Sequence, residues 1–332
     1  MKLRPLGNTG LQVTPLGIGL AALGRPGYIN LGHADDLGRD YRVEAMQAHA
    51  HEVLDAAWAA GIRYYDAARS YGRAEEFLGN WLRARLIPPD AVTVGSKWGY
   101  TYTAGWQVEA EKHEIKDHSL PVLERQWAET QAHLSGYLRL YQIHSATLDS
   151  GVLENEPVLR RLWELRQAGT RIGLSLSGAN QGEVLRRAFA ITFDGVRLFD
   201  CVQATYNVLE PSIGPVLADV HAAGMGVIIK EAVANGRLTP RNASNPAFAA
   251  QYAILQAQAD RLGTTVDALA LAAVLARPFV DVVLSGAATV AQLESNVKVL
   301  DVPFDAEAEA ALADLAEPPA QYWATRSALA WN

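Results

Sequence analysis

The sequence predicts a (β/α)₈ barrel, from three observations. A short, β-branched apolar run, a turn and an amphipathic helix recur along the chain. The unit repeats eight times, about 41 residues apiece in a chain of 332 residues. The strand-like runs are mostly apolar rather than strictly alternating, as expected of parallel strands covered on both faces.

The strands are expected near Val13–Leu20, Arg63–Ala67, Val92–Trp98, Leu138–Ser145, Arg171–Ser175, Asp200–Thr205, Gly226–Lys230 and Val280–Ser285. Helical spacing of apolar residues marks Ala45–Ala59, Ala74–Arg85, Pro121–Leu134, Pro157–Gln167, Gly182–Ala188, Ile213–Ala223, Pro246–Leu262 and Val290–Leu300. Val266–Ala276 and Ala306–Leu315 read as extra helices. Gly61, Gly79, Gly169, Gly224 and Gly263 stand where helix ends favour a left-handed residue. No Pro/Ser-rich linker or low-complexity stretch divides the chain, so residues 1–332 are expected to form one domain. The rival is a doubly wound open sheet, whose glycine fingerprint should follow the first strand. Gly17, Gly19 and Gly24 have the wrong spacing for it, and the polar Arg25–Arg42 stretch opens no helix there.

Composition narrows the function. With 29 Lys+Arg against 36 Asp+Glu the formal charge is −7, which argues against nucleic acid or an anionic membrane as the main partner. The single cysteine, Cys201, excludes an internal disulfide framework and a cysteine-clustered zinc site. It lies in an apolar strand and reads as a small hydrophobe. The opening MKLRPLGNTG lacks the apolar region of a secretory signal, and Ala268–Ala276 is about half the ~20 residues of a spanning helix. A cytoplasmic protein is expected. Asn242-Ala-Ser244 fits a glycosylation sequon but carries no meaning in that setting. His49 and His51 point about 200° apart on a helix, and no metal site is expected. No heptad or isolated apolar stripe announces an oligomer.

In a barrel, chemistry gathers at the C-terminal ends of the strands. Asp66, Tyr71, Lys97 and His144 lie at or just beyond the ends of three successive strands. Singly, each has an ordinary explanation: a helix cap, a turn aromatic, a surface lysine, a core histidine. Together they permit proton transfer to a carbonyl oxygen. A phenol with a pKa near ~10 is a poor acid at neutral pH. An ammonium beside it is expected to lower that value, a carboxylate to hold the ammonium, and a histidine to orient the substrate. This set contains neither metal nor protein nucleophile and needs an external reductant, for which a nicotinamide hydride donor is the natural candidate. The longest connections at that face are Gly24–Glu44, Gly99–Leu120 and Val233–Asn245. The first carries Tyr28, Asp35, Asp36 and Asp40 and the second Tyr100, Tyr102 and Trp106, and of these Tyr28, Asp35, Asp36, Tyr102 and Trp106 suit a sugar or another polyhydroxylated carbonyl compound.

The run Gly61-Ile-Arg-Tyr-Tyr-Asp66-Ala-Ala-Arg-Ser-Tyr71-Gly72-Arg-Ala-Glu75, with Gly79, resembles the first signature of the aldo-keto reductase family. The resemblance continues through VTVGSKWG around Lys97, LRLYQIHSAT around His144 and the opening LGNTGLQVTPLGIG, and covers almost the whole chain. It implies a (β/α)₈ barrel and reversible NAD(P)H-dependent carbonyl reduction, with Tyr71 as general acid/base, Lys97 and Asp66 tuning it, and His144 orienting the carbonyl. It also implies that Ser175 and Gln203 bind the nicotinamide carboxamide, although Leu176 stands where an Asn is common. Lys230 replaces a tyrosine that stacks on the nicotinamide in many relatives, and its ammonium could meet a phosphate, a substrate carboxylate or Glu231. The segment Leu284–Asn296 resembles the adenosine-binding segment, with Gly286, Gln292 and Asn296 as cofactor candidates. Relatives that use NADP usually place Arg or Lys there. This chain has Gly286, Ala287, Ala288 and Gln292, so NADP and NAD both stay open. The family's C-terminal segment borders the substrate pocket, which adds Tyr322, Trp323 and Trp331; the candidate substrate wall is Tyr28, Trp98, Tyr102, Trp106 and Trp323. Two alternatives accompany this reading: a Schiff-base aldolase using Lys97 or Lys230, and a low-turnover cofactor-binding regulator.

Overall fold

The computed structural model describes residues 1–332. Eight parallel strands close into a barrel. In chain order with their helices they are β1 (Leu16–Gly19), α1 (Val43–Ala59), β2 (Tyr64–Asp66), α2 (Ala74–Ala84), β3 (Thr93–Trp98), α3 (Leu120–Leu134), β4 (Leu138–Ala146) and α4 (Glu156–Gln167). The second half is β5 (Arg171–Leu176), α5 (Gln181–Phe189), β6 (Cys201–Thr205), α6 (Gly214–Ala222), β7 (Gly226–Lys230), α7 (Val266–Leu275), β8 (Val282–Ser285) and α8 (Val290–Val297). Each strand pairs with its sequence neighbour, and β8 closes on β1 through Val283–Leu16, Leu284–Gly17 and Ser285–Ile18.

All eight expected strands form, but the seventh helix differs from expectation. Val266–Leu275 is the barrel helix, buried along nearly its whole length. Ala249–Arg261, expected in that place, instead lies outside it, burying Leu255 and Ala259 in a second cluster with Leu269, Leu312 and Tyr322. The two carry similar spacing, but α7 is apolar all round except for the buried, hydrogen-bonded Asp267, as a helix enclosed on nearly all sides must be. A further helix, Pro319–Ser327, was not foreseen; its polar residues Gln321, Thr325 and Arg326 mask the pattern. Of the five helix-end glycines, four have φ between +65° and +104°. Gly79 instead lies within α2, where a Cβ would strike the His133 carbonyl oxygen of α3.

Inside the barrel the pleat of the strands separates two chemistries, because residues two apart face the same way. Tyr64, Leu140, Cys201 and Ile228 form an apolar lower layer, closed by Leu6 and Val13 of an N-terminal hairpin (Arg4–Pro5 with Gln12–Val13). Two residues further along the same strands stand Asp66, Gln142, Gln203 and Lys230. One end of the barrel is thus plugged with hydrocarbon, and the other carries charge. Two further short hairpins form, Thr192–Phe193 with Val196–Arg197 and Tyr100–Tyr102 with Glu114–Lys116; the latter rises from the charged end.

Candidate active site

Asp66 ends β2 and is buried to 1 % exposure, and Lys97 near the end of β3 is fully buried. The two are ion-paired, and Lys97 Nζ also donates to the Ala67 carbonyl at 2.9 Å. Asp66 Oδ1 accepts from Gln203 Nε2 at 2.8 Å and, at longer range, from Tyr64 and Gln142. A buried charge pair is tolerated when further hydrogen bonds accompany it, and here the Asp66 carboxylate accepts from Gln203, Tyr64 and Gln142 and the ammonium donates to a carbonyl as well. Tyr71 lies on the loop after β2, with Lys97 Nζ 4.7 Å from its ring centroid. That loop is held close to β1 by Gly24, where a Cβ would strike the Tyr71 carbonyl oxygen and Ala74. The third glycine of LGIGLAALG therefore serves close packing.

The His144 ring stands edge-on to Tyr71 at 5.4 Å between centroids, and its Nδ1 lies 3.3 Å from Ser70 Oγ. Its strand is irregular here: the β4–β5 register shifts between Ile143 and Ala146, and Ser145 takes φ +53°. The kink is fixed on both sides. Ser175 Oγ accepts from the Ser145 N–H at 2.8 Å, and His118 Nε2 donates to the His144 carbonyl at 2.9 Å. The structure thus brings Asp66, Tyr71, Lys97 and His144 to one place.

The electrostatics correct one expectation. Lys97 was expected to draw the Tyr71 phenol down; instead burial, reinforced by the Asp66 carboxylate, pushes it well above its ordinary value. Lys97 is neutralised by its partner, so desolvation prevails. Burial, followed by the charges of Lys97, Lys230 and Arg25, holds His144 well below its usual range and leaves it a neutral imidazole.

These groups floor a cavity of about 360 Å³ that runs from Tyr71 and His144 past Gln203 and Lys230 to Ser285 and Gly286. Lys230 Nζ donates to Thr205 Oγ1 at 2.7 Å and lies 3.7 Å from Glu231, and burial lowers it to about 8. Glu231 is gripped by Arg326 through both carboxylate oxygens and is held at about 2, the two cations overcoming its burial. Gln203 uses its Nε2 on Asp66, and its Oε1 is left to accept from a ligand in the cavity. Gly286 faces open space. Ser175 is fully buried with its oxygen on Ser145, whereas Ser177 lines the cavity.

The remaining expected site residues are placed differently. Asn296 is buried, its amide engaged at both ends by Ser285 and Asp267. Gln292 accepts from the Ala288 N–H and donates to Asp36 Oδ1, both at 2.8 Å, and the same carboxylate is paired with Arg241. Of the five aromatics expected along the substrate wall, Tyr28 lines the cavity and the other four do not. Trp98 is fully buried against His118, and Tyr102 lies on the hairpin outside the cavity. Trp106 donates to the Tyr41 carbonyl and faces an outer cleft, and Trp323 packs in the second apolar cluster. In their place stand Arg25, Tyr100, Glu114, Arg326 and Trp331. Tyr100 and Trp331 carried a sequence signal as aromatics of a long loop and of the tail. Arg25, Glu114 and Arg326 carried none, since each is a charged residue in a polar stretch. His49 and His51 diverge to the carbonyls of Ala288 and Phe77. No helix is long and apolar enough to cross a membrane.

Comparison with known proteins agrees with this geometry. The family model described as "Aldo/keto reductase family" matches residues 16–317. L-galactose dehydrogenase of Arabidopsis thaliana is 27 % identical over 308 residues, covering 90 % of this chain and 87 % of that protein. Pyridoxal 4-dehydrogenase of Microbacterium luteolum is 30 % identical over 215 residues, 56 % of this chain and 57 % of that protein. The holo form of an aldo-keto reductase from Bacillus halodurans superposes with a TM-score of 0.72 at 23 % identity, over 96 % of this chain and 97 % of that one. The chain belongs to the aldo/keto reductase family and is an NAD(P)-dependent oxidoreductase that interconverts small-molecule carbonyl compounds and alcohols.

Proposed function

We propose that the substrate is a sugar or similar polyhydroxylated carbonyl compound, that Tyr71 is the general acid/base, and that NAD is the preferred cofactor. The observation that carries the catalytic assignment is the phenol of Tyr71 between a neutralised Lys97–Asp66 pair and a neutral His144 at the cavity floor. Gln203, Lys230 and Gly286 would hold the nicotinamide dinucleotide, which supplies the hydride when bound. Burial keeps the Tyr71 phenol protonated across the neutral range but makes it a weaker acid, so its proton leaves only as negative charge builds on the substrate oxygen. In reduction Tyr71 gives its proton to the carbonyl oxygen as the carbonyl carbon gains hydride. The Lys97 ammonium beside the ring then opposes the charge left on the phenolic oxygen. In the tautomer we propose for His144, Nδ1 accepts from the Ser70 hydroxyl 3.3 Å away and the imidazole proton is on Nε2, where it would donate to the same carbonyl oxygen. Alcohol oxidation reverses each step.

Lys97 gives no support to a Schiff-base mechanism, because its amine is engaged by Asp66 and the Ala67 carbonyl. The substrate class is supported by the hydrogen-bonding side chains that line the cavity, Arg25, Tyr28, Asn30 and Glu114 among them, and by the sugar in the name of the Arabidopsis relative. The preference for NAD is supported by Asp36. It places a carboxylate on Gln292, and the neighbouring guanidinium of Arg241 is already paired with it and bonded to the Leu31 and Gly32 carbonyls. A 2′-phosphate would meet an acidic group and a satisfied arginine. Separate fluorescence titrations with NADH and NADPH, followed by a carbonyl panel with the tighter one, test both parts. Tighter NADPH binding, or turnover of small apolar aldehydes with none of hydroxylated ones, would overturn the corresponding part.

A further inference from the structure

Arg25 occupies a position that none of the catalytic assignments explains. It is 2 % exposed, on the loop after β1, with its guanidinium carbon 5.3 Å from the Tyr71 ring centroid, 4.9 Å from that of Tyr28 and 4.8 Å from that of Trp331. Nη1 donates to the Ser70 carbonyl at 3.1 Å and to Glu114 Oε2 at 3.0 Å, while Nε is buried without a partner. Glu114 comes from the hairpin that rises beside the cavity; its side chain is 25 % exposed, and it lines the same space as Arg25. Trp331 is fixed from behind by stacking on His113 at 3.9 Å, and the tail is tied down where Asn332 and Tyr28 exchange backbone hydrogen bonds at 3.1 Å.

We infer that the Arg25–Glu114 pair recognises the substrate by two neighbouring hydroxyl groups, the guanidinium donating to one oxygen and the carboxylate accepting from the other. The inference rests on the substrate class proposed above and names the residues that read it. A solitary buried arginine would favour an anionic substrate, and a solitary glutamate a cationic one. Joined, they present fixed donors and acceptors with little net charge, which matches an uncharged polyol and penalises either ion. The rings of Tyr28 and Trp331 pack against the guanidinium and hold it in place, so the pair meets a substrate as a fixed donor–acceptor set. Because Arg25 also holds the Ser70 carbonyl, and Ser70 Oγ contacts His144, a hydroxyl bound here is registered against the group that orients the carbonyl.

The test compares erythrose with butanal, which share a carbon chain and differ in hydroxyls, in wild type, Glu114→Gln and Arg25→Met. Glu114→Gln is the gentler change, since the residue is partly exposed and keeps its shape. In wild type kcat/KM should favour erythrose. In both variants that preference should fall about tenfold or more, mainly through KM for erythrose, as expected when a hydrogen bond to a charged group is lost. A parallel loss for both aldehydes would mean that the pair merely braces the Tyr71 loop, and would overturn the inference. An unchanged preference in both variants would overturn it as well, while leaving the substrate class intact. A wild-type enzyme indifferent to the hydroxyls would remove the substrate class, and the inference with it.

Discussion

Replacing Tyr71 with phenylalanine removes a single oxygen, and its surroundings separate a catalytic effect from a structural one. The ring is buried to 9 % exposure and held by Lys97 Nζ at 4.7 Å, Arg25 at 5.3 Å and His144 at 5.4 Å, contacts that phenylalanine keeps. The hydroxyl belongs to a residue lining the cavity, and no protein group there is left unpaired by its loss. Stability should therefore change by no more than about 1 kcal/mol, a shift in Tm of about 2–4 °C at most. General acid catalysis contributes about 100- to 10,000-fold, so the variant should lose about 3 to 5 kcal/mol of transition-state stabilisation. Absorbance of the reduced nicotinamide follows turnover, fluorescence titration follows nucleotide affinity, and a thermal melt follows the fold. The expected result is a collapse of kcat with affinity and Tm preserved. Turnover within about threefold of wild type would refute the acid role, since no effect of that size fits proton donation.

The pH dependence should be opposite for the two directions. The Tyr71 pKa is raised, so the donor is fully protonated below its ordinary value of ~10 and is lost only as pH climbs through a still higher one; carbonyl reduction should stay flat from about pH 6 to 9. Alcohol oxidation needs the phenolate and should rise with pH over that same range; a reduction rate falling between about pH 7 and 9 would contradict the assignment. Asp66→Asn strands the fully buried Lys97 charge and should cost about 3–5 kcal/mol in a denaturant melt, whereas a loss below about 1 kcal/mol would show the pair to be dispensable to the fold. Gln292→Arg alone should gain little NADP affinity, because Asp36 would capture the new guanidinium; Asp36→Asn combined with Gln292→Arg should improve NADPH over NADH binding by about tenfold, and a single variant performing as well as the double would deny Asp36 its role.

The legible and the hidden parts of the site differ in where their proximity comes from. Asp66, Lys97 and His144 lie near the ends of consecutive parallel strands, so the strand pattern alone predicts that they share one rim. Tyr71 follows five residues after Asp66, within reach of the same rim. Arg25, Glu114 and Arg326 meet through a loop, a hairpin and a terminal helix separated by about 90 and 210 residues, and nothing local encodes that meeting. The missed hairpin is the telling case. Glu114–Lys116 is too short to show alternation, yet it brings Glu114 to Arg25. The exchange of Val266–Leu275 for Ala249–Arg261 has a similar origin, since both are helical and burial alone decides which one touches β8.

Charge reads differently at the level of the chain and of the cavity. The chain carries a formal charge of −7, yet four cations and three carboxylates stand in and just beneath this cavity. Asp66 answers Lys97, Glu114 answers Arg25, and Glu231 is shared between Arg326 and Lys230. The surplus positive charge therefore falls on the Lys230 side, where the longer of Glu231's two contacts leaves the ammonium the less satisfied partner, and burial already pulls it down to about 8. The Tyr71 side is balanced. On the function proposed above, this division would draw the anionic dinucleotide to the first side and admit an uncharged carbonyl compound at the second, so that one cavity sorts its two reactants by the way its carboxylates are shared among its cations.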